Sequence, residues 1–308
     1  MVYRIIHGVC ETELSKLVNE SSLKEIHLTF LHPPVTQPKE GVNSNKQMTP
    51  GRYWQWMQRI CQKILTLTAP GGALYFMHRA RYAEFVLQAL RTTGWTLQNL
   101  ITWKQLTSVI PHQSRFFEQA QLIAFASKGP EPRVFHRLRI DSPIASYHKQ
   151  RQDDGFTVTD VWNDIPELNI DNHANNDATP TPSKKPASTE AGRFPKEQMP
   201  VRLLTRIILA SSLPHDLILD PFAGTGVTGV VAEQLGRNSI TIELDPRNIE
   251  VMKKRLTLKR PAVDLSKFYY YYRFTDHIDS ILPLPYKQSV RRRILHSLGN
   301  HTYFKNKN

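Results

Sequence analysis

The chain has 308 residues, with 40 Lys+Arg against 27 Asp+Glu and a formal net charge of +13. That length admits one large α/β domain with additions or two small domains, and the charge points to a polyanionic partner, most simply nucleic acid, although a merely basic surface would carry the same sign. Two cysteines, Cys10 and Cys61, exclude a disulfide framework and a CxxC metal site and fit a reducing, cytoplasmic setting; the first residues show no signal-peptide pattern, and no apolar run is long enough to cross a bilayer.

From Tyr3 to Lys128 strand-like and helix-like segments alternate. Ile26–Leu31 reads as a short buried strand. Arg52–Thr68 reads as an amphipathic helix with Trp56, Ile60, Ile64 and Leu67 on one face, ended by Pro70-Gly71-Gly72. Trp54, Trp56 and Trp95 are read as core rather than as base-stacking groups. A strand Ala73–Met77 and a helix Arg81–Thr92 follow, the helix stopped by Gly94. Leu97–Lys104 and Gln119–Ser127 read as an antiparallel pair. From Gly129 to Arg193 the pattern weakens, and the polar stretch Asp171–Ala191 reads as a flexible loop. Regularity returns with a helix over Pro200–Ser212, a strand over Leu217–Leu219 and a helix over Val227–Leu235, ended by Gly236. A strand Ser239–Glu243 and a helix Pro246–Leu256 come next, with proline in the helix's first position. Strands alternating with helices predict a mostly parallel sheet covered on both faces. Beyond Thr257 lie an aromatic block, Phe268–Tyr272, read as an added strand packed on the sheet, and a basic run, Arg291–Arg293, whose default is a solvated face.

The most specific segment is Leu217-Ile-Leu-Asp-Pro-Phe-Ala-Gly-Thr-Gly226. A buried strand enters a glycine turn and a helix follows at once, so free helix N–H groups face whatever sits over the turn. A phosphate or an amino-acid carboxylate would suit such a turn. No Gly-Lys-Ser/Thr is present, which excludes a phosphate-gripping P-loop. Gly224, Gly226 and Gly229 fit a dinucleotide pattern only if Gly229 is a helix-packing glycine. The next strand ends in Glu243, 23 residues after Asp220; a carboxylate there suits the two hydroxyls of a ribose.

This phrase, with Gly236-Arg237-Asn238 and Glu243-Leu-Asp-Pro246 after it, resembles the cofactor motif of the amino-group DNA methyltransferases. The resemblance implies that S-adenosylmethionine binds here. Asp220, Phe222, Gly224, Thr225 and Gly226 would line its methionine end and Glu243 would bind its ribose. Phe194–Leu209 resembles the helix that closes over the methionine moiety. In the same family the reacting strand ends in Asp/Asn/Ser-Pro-Pro-aromatic. An amino group conjugated to a base ring is a weak nucleophile. A side-chain acceptor and a backbone carbonyl take its two hydrogens, the prolines hold the loop, and the aromatic stacks on a flipped base. The corresponding residues here are His32-Pro33-Pro34-Val35, after the strand Ile26–Leu31. His32 can accept one hydrogen bond when neutral; Val35 cannot stack. Where family members carry a Gly-Asp whose carboxylate reaches the cofactor adenine, this chain has Gly8-Val9.

The resemblance extends from Tyr3 to Leu256. It includes Tyr53–Met57 and Thr68–Ala73 after the catalytic motif, Trp103-Lys104 and Phe116–Lys128, and Asp160-Val161-Trp162 before the cofactor half. With the catalytic half first, the order matches the permuted group of these enzymes. It implies a Rossmann-like doubly wound α/β sheet with an antiparallel strand pair at one edge. The domain reading is residues 1–128 as the catalytic half, 129–193 as a target-recognition region, 194–256 as the cofactor half and 257–308 as a basic aromatic extension. Arg133, Arg137, Arg139, Lys149 and Arg151 would meet phosphates, and His112 and Arg115 either touch DNA or sit in a solvated loop. The expected activity is methyl transfer to N4 of cytosine or N6 of adenine in double-stranded DNA, without a metal, and a cognate restriction endonuclease is a candidate partner. The alternative is a catalytically impaired, methyltransferase-like DNA-binding protein or partner subunit.

Overall fold

The computed structural model describes residues 2–23, 25–34, 48–105, 113–114, 116–140, 155–166, 199–257 and 271–282. Its centre is an eight-stranded sheet in the order β1-β10-β9-β2-β3-β5-β4-β8. The strands are β1 (Tyr3–His7), β2 (Ile26–Leu31), β3 (Thr68–Arg79), β4 (Trp95–Lys104), β5 (Ala120–Lys128), β8 (Val161–Trp162), β9 (Leu217–Asp220) and β10 (Asn238–Glu243); β6 (Arg139–Ile140) and β7 (Phe156–Thr157) make a separate two-stranded ribbon. The helices are α1 (Cys10–Val18), α2 (Pro50–Leu67), α3 (Ala83–Thr93), α4 (Val201–Ser211), α5 (Val227–Gln234) and α6 (Pro246–Thr257).

Alternating burial along β3 shows why the sheet is covered on both faces. Ala73, Tyr75 and Met77 point into one core with Leu203, Leu204 and Ile207 of α4 and Val231 of α5. Leu74 and Phe76 point into the other, against Trp56, Ile60 and Ile64 of α2 and Leu14 of α1. A strand buried on both sides needs a continuous apolar run, which is what β3 carries. Trp54, Trp56 and Trp95 are all buried, as their helical or strand spacing predicts.

The two halves of the chain meet at β2 and β9. These strands pair in parallel, Leu28 opposite Ile218 and Thr29 opposite Leu219. From β2 the chain winds through α2 to β3 on one side; from β9 it winds through α5 to β10 on the other. The winding therefore reverses between them, and open α/β sheets bind ligands beyond the strand ends at such a point.

Four details differ from the sequence reading. Pro70-Gly71-Gly72 does not separate helix from strand: β3 starts at Thr68, and these residues form a bulge in which pairing passes from Ile26–Thr68 to Leu28–Ala73. The pair β4–β5 is antiparallel, but only β5 runs against the sheet, and Val161-Trp162 forms a parallel edge strand beyond β4. Tyr3–His7 and Cys10–Val18, unassigned from sequence, are β1 and α1; β1 lies beside β10, so the start of the chain extends the sheet next to the strand that ends in Glu243. Tyr271-Tyr272 does not belong to a strand. Tyr271 is helical and Tyr272 packs in a turn against α4, because their phenols reach the buried Arg206 and Asp164. Val35, His112, Arg115, Lys149, Arg151, Asp171–Ala191, Phe268–Tyr270 and Arg291–Arg293 lie outside the described residues.

Candidate active site

Beyond the ends of β2 and β9 lies a cavity of about 300 Å3, whose walls include His32, Pro33, Pro34, Asp220, Phe222, Gly224, Thr225 and Glu243. The catalytic and cofactor phrases, almost 190 residues apart in sequence, thus face one space. Of the residues singled out from sequence, Gly226 stands behind the wall and Val35 is not described.

The glycine turn is held from three sides. Asp220 ends β9 and is buried; its Oδ1 accepts from the Phe222 N–H at 3.1 Å and its Oδ2 from the Thr228 hydroxyl at 2.5 Å. No cation pairs with it among the described residues. Burial pushes its carboxyl up to about 7, and the charge of Glu243 acts in the same direction. Glu243 ends β10; its Oε2 accepts from the Gly224 N–H at 2.7 Å and its Oε1 from the Asp245 N–H at 2.8 Å. From behind, Arg255 of α6 donates through Nη1 to the Thr225 carbonyl at 2.9 Å and hydroxyl at 2.8 Å. Burial lowers this guanidinium to about 10.

Two glycines in the turn are needed for different reasons. Gly224 has φ +54° with open space where a Cβ would be, so its backbone conformation is the constraint and a ligand can approach it. Gly226 has φ +79°, and a Cβ there would lie 2.4 Å from Met252 Cγ. Its role is to let α6 pack against the start of α5.

At the end of β2, His32 lies against Phe30 with ring centroids 6.4 Å apart. Tyr53 of α2 donates to the Pro34 carbonyl at 2.9 Å and meets His78 Nε2 at 3.1 Å. Trp56 is core and cavity wall at once, packed edge-on to Phe222 at 5.7 Å. Gly8, Val9, Met199 and Asn248 also line the cavity. Gly8 N–H donates to the Glu243 carbonyl at 3.0 Å, which places Val9 at the carboxylate end of the space. Asn248 and Arg255 were missed from sequence, because a single polar residue on an amphipathic helix carries no signal of the wall it will meet. Among the described residues there is no cluster of His, Cys, Asp and Glu suited to a metal ion and no helix long and apolar enough to cross a membrane.

The residues present suit a cationic cofactor. Among the described residues, a buried carboxylate without a basic partner lies beside an open left-handed glycine turn, and a second carboxylate at the next strand end keeps lone pairs that hydroxyl groups of a ligand could use after its two backbone bonds.

The N6_N4_Mtase family model, described as DNA methylase, matches residues 26–254. The type II methyltransferase M2.DpnII of Streptococcus pneumoniae is 28% identical over 269 residues, covering 82% of this chain and 88% of that protein. M2.LlaDCHI of Lactococcus lactis subsp. cremoris is 32% identical over 208 residues, covering 67% of this chain and 65% of that protein. M.BamHI of Bacillus amyloliquefaciens is 27% identical over 83% of this chain, which spans 57% of that protein's length. Among solved structures, the cytosine-N4-specific PvuII DNA methyltransferase superposes with a TM-score of 0.58 at 16% identity, covering 91% of this chain and 94% of that one. The M1.HpyAVI–SAM complex superposes with a TM-score of 0.51 at 18% identity, covering 83% and 100%. At these identities the structural matches establish the fold.

Proposed function

We propose that this chain, which belongs to the N6/N4 DNA methylase family, is an S-adenosylmethionine-dependent DNA methyltransferase acting on an exocyclic amino group, with His32-Pro33-Pro34-Val35 as its reacting loop, Asp220, Phe222, Gly224, Thr225 and Glu243 as its cofactor cradle, and Gly226 supporting the turn. The observation that carries the assignment is the parallel pairing of β2 with β9, which turns both loops into one cavity.

S-adenosylmethionine supplies an electrophilic methyl group on a sulfonium. The chain's own work is to bind and orient. Asp220 and the turn hold the methionine end, and Glu243 holds the ribose hydroxyls. Neutral His32 accepts one hydrogen of the base amino group while a backbone carbonyl of the loop accepts the other. Hydrogen bonds accepted from those N–H groups push density onto nitrogen, which would form the new N–C bond as the S–C bond of the sulfonium breaks to a neutral thioether, with one amino proton then lost to solvent. The two prolines that follow His32 fix φ through the loop, so its geometry is set before the base enters.

We assign residues 1–128 to the catalytic half, 129–193 to target recognition, 194–256 to the cofactor half and 257–308 to an extension. The catalytic-first order supports placement in the permuted group. The net charge of +13 supports phosphate contacts along the DNA backbone. A cognate restriction endonuclease and a cytoplasmic, DNA-associated setting follow from the same reading. The test is to incubate the protein with methyl-labelled cofactor and mixed-sequence DNA and hydrolyse the DNA to nucleosides. Label in N6-methyladenosine or N4-methylcytidine deoxynucleosides is expected; label at cytosine C5, or none, would contradict it.

A further inference from the structure

Three elements converge on one carbonyl of the reacting loop. Tyr53 lies in the first turn of α2, His78 near the end of β3, and Pro34 just beyond β2. The backbone N–H of Arg79 donates to His78 Nδ1 at 2.9 Å. Nδ1 therefore carries no proton, and a neutral ring must carry it on Nε2. That Nε2–H meets the Tyr53 hydroxyl at 3.1 Å, and the hydroxyl donates onward to the Pro34 carbonyl at 2.9 Å. The donors run one way: Arg79 N–H to His78, His78 to Tyr53, Tyr53 to Pro34.

We propose that Tyr53 and His78 are positioning residues for methyl transfer, acting as a buried hydrogen-bond relay that fixes the direction in which the His32-Pro33-Pro34 loop leaves the active site. This rests on the assignment of that loop as the reacting one.

Both prolines have φ locked by their rings, so ψ is the soft torsion at each. The direction of the Pro34 carbonyl reports ψ of Pro34, and the Tyr53 hydroxyl holds it. Pro34 lines the cavity beside His32 and Pro33, so the bond to its carbonyl holds the end of that wall. Tyr53 and His78 are 5% and 3% exposed, so water is kept from the bond between them, while the Pro34 carbonyl and the Arg79 N–H at the two ends are half-buried. Trp54, Trp56 and Tyr82 pack around the two rings. The ring of His78 is held neutral by burial, with His32, Arg79 and Arg81 acting in the same direction, and its protonation is lowered to about 4. At neutral pH the relay therefore has a single tautomer and a single sense. Neither residue touches the cavity, so neither would be found by its lining.

Tyr53→Phe removes one oxygen and keeps the ring. It is expected to lower kcat about tenfold, with the cofactor KM moving less than about twofold and the unfolding midpoint nearly unchanged. His78→Leu should lose a similar factor, and His78→Gln, whose amide can stand in for Nε2–H, should recover most of it. The double variant Tyr53→Phe/His78→Leu should be no slower than either single one, because both break one chain. Independently of turnover, 15N spectra of the imidazoles should show His78 as the Nε2–H tautomer in the parent and disturbed in Tyr53→Phe. An unchanged kcat in Tyr53→Phe, losses that multiply in the double variant, or an Nδ1–H tautomer would overturn the relay alone. A parent that transfers no methyl group would overturn the site assignment and the kinetic role with it.

Discussion

Glu243 closes the glycine turn against the end of the neighbouring strand: its Oε2 accepts from the Gly224 N–H at 2.7 Å while its Oε1 accepts from the Asp245 N–H at 2.8 Å. The same carboxylate is the candidate ribose ligand, so loop shape and cofactor binding depend on one side chain. Glu243→Ala should weaken S-adenosylhomocysteine binding by roughly 1.5–3 kcal/mol, the scale of a hydrogen bond to a charged group. Isothermal titration calorimetry measures it; unchanged affinity would remove Glu243 from the ribose site.

Asp220 should make cofactor binding release protons. Burial raises its carboxyl to about 7 in the free protein. A folded value above the unfolded one stabilises the fold fully below about pH 4, and that contribution is lost as pH rises through about 7. The free protein should therefore lose stability across this window, and Asp220→Asn should flatten the loss. A cationic cofactor favours the ionised form, so binding at pH 6.5 should expel a fraction of a proton. Calorimetry in two buffers of different ionisation enthalpy reads this directly; identical heats would show that Asp220 is already ionised.

Arg206 of α4 is 1% exposed and makes a two-pronged contact with Asp164, with Tyr272 Oη at 3.2 Å and the Trp162 ring at 5.1 Å. Although burial works the other way, the guanidinium holds Asp164 below the usual carboxylate range. Arg206→Met leaves that buried charge unpaired and should cost about 3–5 kcal/mol in urea unfolding. Adding Asp164→Leu should restore part of it. A loss below about 1 kcal/mol would show that water reaches Asp164.

DNA affinity should fall steeply with salt, because neutralised phosphates release counterions. With several Lys/Arg–phosphate contacts the loss between 50 and 200 mM salt should reach roughly 100-fold or more. Titrations at the two concentrations giving one constant would contradict a largely electrostatic interface.

Much of this site was legible in the sequence, because its two loops follow apolar strands and carry residues that only certain backbones require. Asp220–Gly226 needs left-handed glycines at a strand-to-helix turn, whereas His32-Pro33-Pro34 by itself would read as a plain loop and gains its meaning from the strand before it. Other parts left no local trace. The Tyr53–His78 contact spans 25 residues and Arg255–Thr225 spans 30, so neither falls within a helical or strand repeat. Tyr3–His7 is an edge strand with mostly exposed or half-buried positions, and so shows no apolar run. The aromatic block that ends in Tyr271-Tyr272 has strand propensity, but tertiary bonds to Asp164 and Arg206 place its described end against α4 instead.

His32 stands where the family carries an acidic or polar residue, and we propose it as the working acceptor for the base amino group. Single-turnover methyl transfer from labelled cofactor, in the parent and in His32→Ala, tests it most directly. A fall of about 100-fold or more is expected in His32→Ala, with cofactor affinity nearly unchanged, and no large gain from His32→Asp. Transfer by His32→Ala at the parent's rate would place the chemistry on another loop.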